Sequence, residues 1–104
     1  MNRWKERSIN WKFLDSLRRA FGRKQFTNKD AYQIYRLNHW RGLQWHKRLL
    51  ARLRKEKFAS ATIERFAKEL RDGDPFMQMT VRNCLCAAAQ FGYVKRLAPG
   101  KYKF

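Results

Sequence analysis

Apolar residues recur at helical spacing along most of this chain, and the recurrence is broken at a few Gly, Pro and small polar positions. Trp11, Leu14, Leu17 and Phe21 form the first stripe, with Ser8 as a candidate cap and Gly22 as its stop. Thr27, with Asp30 three residues on, reads as a variant capping box that opens a short helix through Ala31, Ile34 and Tyr35. Leu43, His46, Leu49, Leu50 and Leu53 form a third stripe. Ile63, Phe66, Ala67 and Leu70 form a fourth at i, i+3, i+4, i+7, behind a capped start at Phe58-Ala59-Ser60. After the turn Arg71-Asp72-Gly73-Asp74-Pro75, a last helix carries Thr80, Val81, Leu85, Ala88 and Ala89 and ends at Gly92. Residues 93–97 and 101–104 then read as two strands around Ala98-Pro99-Gly100. The pattern predicts a mostly α fold with a small C-terminal β-hairpin.

With 104 residues the chain fits a single domain, 1–104, and its 44% hydrophobic content suffices for a modest core. That content argues against disorder, although the net charge is +17. Such an excess repels itself on folding and points to a polyanionic partner. It is uneven: residues 1–58 hold 17 basic against 4 acidic side chains, and residues 59–104 hold 8 against 4. Cys84 and Cys86 are two apart on a helix, so they point in different directions and are too few for a zinc site. They are expected as reduced, small apolar residues in or near the core of a cytoplasmic, intracellular protein. The stretch MNRWKERSINWKF has no apolar run of a secretory leader, and no segment is apolar enough to span a membrane.

A faint internal echo runs through the chain. KQFTNKDAYQIYR (24–36) resembles EKFASATIERFAK (56–68), with Phe26 against Phe58 and Ile34 against Phe66. It suggests tandem helix-turn-helix units that share a central helix. From residue 44 onward the order is a helix (44–56), a strand stub at Phe58, a second helix (60–71), a turn, a third helix (77–91) and a hairpin (93–104). With Thr80-Val81, Leu85, Ala88 and Gly92-Tyr93-Val94-Lys95-Arg96, this string resembles the winged helix-turn-helix DNA-binding superfamily. The resemblance divides the chain into a basic N-terminal helical part, 1–43, and a core, 44–104. Two features differ from the usual pattern: the turn DGDPFMQM is long, and the third helix has few basic residues beyond Arg82.

The resemblance implies that helix 77–91 enters a major groove with Gln78, Thr80, Arg82 and Asn83 toward the bases. It also implies that wing residues Lys95, Arg96, Lys101 and Lys103 lie near phosphates. Read without it, Arg82 and Asn83 fit equally as solvated helix residues, and Gln78 and Thr80 as capping residues. Lys47, Arg48, Arg52, Arg54 and Lys55 lie opposite the third apolar stripe and form a basic face suited to phosphates.

Trp4, Trp11, Trp40 and Trp45 all fall in the first 45 residues, near Arg3, Lys5, Arg7, Lys12 and Arg41. Aromatic side chains among cations can stack on unpaired bases. Trp11 and Trp45 sit on stripes and are expected in the core, whereas Trp4 and Trp40 are the better candidates for exposure. His39 and His46 have no partner at metal-ligand spacing, and no catalytic string occurs. The sequence therefore points to a binding protein with no enzymatic role, no cofactor and no metal. Double-stranded DNA is the expected partner, with a transcriptional or accessory role. RNA or ribosome association and an inhibitor module docking on an acidic protein are the alternatives.

Overall fold

The computed structural model describes residues 4–104, so Arg3 lies outside the described residues. The stripes become five α-helices, α1 (Trp11–Phe21), α2 (Asn28–Asn38), α3 (Leu43–Lys55), α4 (Ser60–Asp72) and α5 (Pro75–Gln90). Three short strands, β1 (Phe26–Thr27), β2 (Lys95–Ala98) and β3 (Lys101–Lys103), complete the fold, and a 3-10 turn (Glu6–Ser8) precedes α1.

Local chemistry sets the helix ends. Asn10, not Ser8, caps α1: its side chain accepts from Phe13 N at 3.1 Å, while Ser8 lies inside the 3-10 turn. The Thr27–Asp30 capping box forms in both directions at the start of α2. The expected cap near Ser60 is absent, because Ala59 holds that position and has no side chain to accept with. Asp74 caps α5 by accepting from Met77 N at 2.7 Å, and Pro75 occupies the first helical position, where its missing N–H is no loss. The connection between α4 and α5 is therefore Gly73-Asp74 alone, and residues 75–79 are helix. Gly73 has φ 84, and a Cβ there would run into the Met77 side chain.

The hairpin gains a third, antiparallel strand, in the order β1-β3-β2. Phe26 pairs with Tyr102, Lys95 with Lys103, Arg96 with Tyr102, and a bulge at Leu97 separates these from Ala98 opposite Lys101. The strand partner thus comes from Phe26–Thr27 and not from Phe58. Phe26 is 1% exposed and Phe58 is 48% exposed in an irregular segment, so the echo between 24–36 and 56–68 returns in the helix starts, α2 at Asn28 and α4 at Ser60, but not in the strand.

The main core crosses the boundary at residue 43. Ile9, Phe13, Leu14, Leu17, Phe26 and Ala31 pack with Val81, Cys84, Leu85, Ala87, Ala88, Val94 and Tyr102. Burying each large side chain here contributes about 1.5–3 kcal/mol. Phe13 meets Tyr35 edge-on at 5.2 Å, and Phe26 stacks between Phe21 and Tyr102.

No residue of α3 or α4 belongs to that core. These helices pack on one another through Leu43, His46, Leu50 and Leu53, and α4 buries none of its residues fully. Side chains of α2 tie the pair to the core: Gln33 Nε2 donates to Arg71 O at 2.9 Å, and Arg36 Nη1 to Leu70 O at 3.3 Å. Both satisfy carbonyls that the end of α4 leaves open. The radius of gyration is 15.8 Å, against roughly 13 Å for a compact chain of this length. A helical hairpin attached beside the core accounts for that elongation.

Candidate nucleic-acid interface

Cations cover this molecule. Among the described residues every Lys and Arg except Arg36 is exposed, and only Arg52 and Arg71 stand within ion-pair distance of a carboxylate. The charge sits on all the helices and on the hairpin, and is not confined to one face.

The expected base-reading residues on α5 divide. Gln78 Nε2 donates to Asp72 O at 3.3 Å, closing the turn, and Thr80 Oγ1 donates to Phe76 O at 2.9 Å within its own helix. Arg82 is exposed and Asn83 half-buried. The large exposed side chains of the same helix are Phe76, at 76%, and Met79. Sequence reasoning left Phe76 in the turn and gave Met79 no role although helix 77–91 covered it; the Asp-Pro pair, a cap followed by a first helical residue, was the signal for the earlier helix start. An open groove of about 320 Å³ beside Phe76 and Thr80 is also lined by Tyr35, His39, Trp40 and Arg41.

The far end of α5 is covered. Gln90 holds the main chain of Trp4 from both sides, accepting from its N–H at 3.0 Å and donating to its carbonyl at 2.7 Å. Asn10 N donates to Cys84 Sγ at 3.4 Å, and Tyr93 donates its hydroxyl proton to Glu6 at 2.6 Å. That bond holds the Tyr93 proton and raises its pKa. Burial raises the Cys84 thiol likewise, although the Asn10 N–H opposes it. Cys84 and Cys86 are both free.

Alternation splits the wing residues. Lys95 lies directly opposite Lys103, and Lys101 follows two residues before Lys103 on the same strand face. Arg96 lies opposite the buried Tyr102, and it lines a groove with Trp4, Cys86 and Gln90. The tip of the hairpin is pinned, since Asn28 N donates to Gly100 O at 3.0 Å.

On α3, Lys47, Arg48, Arg52, Arg54 and Lys55 are all exposed. Lys47 and Arg54, seven apart, form one row, and Arg48, Arg52 and Lys55 form another. The second row includes Trp45, which corrects the expectation for the tryptophans. Trp45 is 59% exposed and Trp11 is 48% exposed, whereas Trp4 and Trp40 are half-buried. The apolar stripe of α3 turns inward through His46 instead, with Trp40 packed over its ring at 4.6 Å. Trp11 meets Tyr93 edge-on at 4.7 Å.

Among the described residues, no three His, Cys, Asp or Glu side chains gather as a metal site, and no helix is long and apolar enough to cross a membrane. Comparison of the chain with known protein families, with curated proteins and with solved structures finds no match, so its chemistry is read from these residues alone.

Proposed function

We propose that this protein is an accessory factor that binds double-stranded DNA, chiefly through its phosphates, on a winged-helix scaffold. The order α1-β1-α2, then α5 and the hairpin, with strands in the order β1-β3-β2, supports that scaffold. On this reading the first two helices of the motif are α1 and α2, and α3–α4 is an insertion ahead of the third helix. The proposed core thus begins near residue 11, earlier than the 44–104 span of the sequence resemblance.

The observation that carries the reading is the lysine face of the sheet. Lys95 and Lys103 oppose each other directly with Lys101 beside them, and among the described residues no carboxylate pairs with any of the three. Like charges directly across a strand pair destabilise it, so the arrangement suits an external polyanion. Base reading is weak by the same inspection: Gln78 and Thr80 spend donors on the backbone, leaving Arg82 as the exposed cation on α5. Affinity with little sequence preference follows, because phosphate contacts carry no sequence information.

Fluorescence anisotropy with random-sequence duplexes at several salt concentrations tests this. Neutralising roughly 6 to 8 phosphates gives a log–log salt slope of about −5 to −7. Replacing Lys95, Lys101 and Lys103 together by Gln should flatten the slope by about 3. Failure to bind duplex at low salt would overturn the proposal, and a strong preference for structured RNA would move the partner to RNA.

A further inference from the structure

We infer that α3 carries a stacking platform for unpaired nucleobases, centred on Trp45, beside the phosphate-binding surface. The inference rests on the nucleic-acid reading above and deepens it: the preferred ligand is a duplex that continues into a single strand.

Trp45 is the most exposed of the described tryptophans. One ring contact braces it. Its ring meets His46 edge-on at 4.9 Å. His46 in turn is buried, with Nδ1 at 2.9 Å from Gly42 O, Nε2 at 3.7 Å from Glu69, and Trp40 on another side. A ring braced on one side and otherwise open to solvent suits a stacking surface, because less freedom is lost when a ligand lands on it than on an unsupported ring.

The neighbours supply the rest. Arg48, Leu49 and Arg52 share the helix face of Trp45 at i+3, i+4 and i+7, and with it they line a shallow groove of about 160 Å³. Arg52 gives its Nε to Glu56 at 3.1 Å, which leaves its terminal nitrogens for another acceptor, and Arg48 forms no ion pair among the described residues. A nucleotide in a single strand matches the set: a flat π face for the indole and phosphates on either side for the two guanidiniums. Bases inside a duplex are already stacked on one another and have no free face for the ring, so the ligand is an unpaired stretch.

The test uses the full chain and three DNA probes: a blunt duplex, the same duplex with a thymine tail, and the same duplex with an abasic tail of equal length. The abasic tail adds phosphates without bases. Wild type should bind the thymine tail about tenfold more tightly than the abasic one. Trp45→Ala should erase that difference and leave blunt-duplex affinity and the circular dichroism spectrum unchanged, and Trp45→Phe should retain most of it. Equal binding of the two tails by wild type overturns the platform while leaving duplex binding intact. So does a thymine preference that survives Trp45→Ala. If Trp45→Ala abolishes binding of an acidic amphipathic peptide and leaves the DNA probes alone, the face belongs to a protein partner and the inference fails. Binding of none of the probes removes the proposed function itself.

Discussion

His39 is one residue at which position and charge make a pH-dependent contribution to stability. It ends α2, its Nε2 lies 2.8 Å from Ser16 Oγ on α1, and its ring packs on Phe13 and Tyr35. Partial burial lowers its pKa from 6.5, and Lys12 lowers it further. The unfolded chain therefore binds the proton more readily than the folded one. Stability from this site is complete above pH 6.5 and is lost as the pH falls through 6.5 toward the lower folded value. Urea midpoints measured across that window should fall with acid for wild type and fall less for His39→Gln. Nothing in the local pattern around His39 signals this contact, because Ser16 is 23 residues away. The tryptophans were misjudged for a related reason. Trp45 and His46 are adjacent on one helix, and a rotation of one position decides which of them faces α4. Glu69 and the Gly42 carbonyl decide it for His46, and neither is visible in the local pattern.

The β2–β3 hairpin bears a direct contest between stability and binding. Lys103→Glu turns the pair with Lys95 from repulsive to attractive, and such cross-strand pairs are worth roughly 0.2–1 kcal/mol. The variant should unfold at higher urea than wild type by about that amount, while its duplex affinity drops at low salt. A loss on both counts would mean that Lys103 serves packing and not a phosphate. The helices themselves were legible in the sequence, since each apolar stripe returned as a helix within a few residues of its expected ends. β1 was not. Two residues are too few to show an alternation, and Phe26 looks like any apolar residue ahead of a capping box until its partner Tyr102 is known. The strand was instead expected at Phe58, whose local sequence resembles that of Phe26 but which has no β3 beside it. The start of α5 was hidden in the same way: Pro75 read as the end of structure, when the Asp74 cap makes it the beginning. For the candidate site, the cations of α3 and the hairpin could be named from sequence. The pinning of the hairpin tip by Asn28 and the cover over Gln90 arise from contacts distant along the chain.

Across the whole molecule the same charge acts on folding and on binding with opposite signs. A net +17 with few ion pairs among the described residues means that the folded state concentrates repulsion which the expanded chain relieves. Salt screens that repulsion over about 10 Å at 0.1 M, a length shorter than the 23 Å minor dimension of the molecule. Adding salt should therefore raise the melting temperature. The α3–α4 hairpin is least able to resist the repulsion, because α4 buries none of its residues fully. A bound duplex does what salt does, but locally, by setting phosphates against the lysine face and α3. Calorimetry between 50 and 200 mM salt should then show two trends of opposite slope. The free protein becomes more stable as salt rises, and the extra stability conferred by duplex DNA shrinks over the same interval as counterion release loses its drive. A melting temperature indifferent to salt would mean that the positive side chains stand too far apart to repel one another, and phosphate binding by their joint field would lose its physical basis.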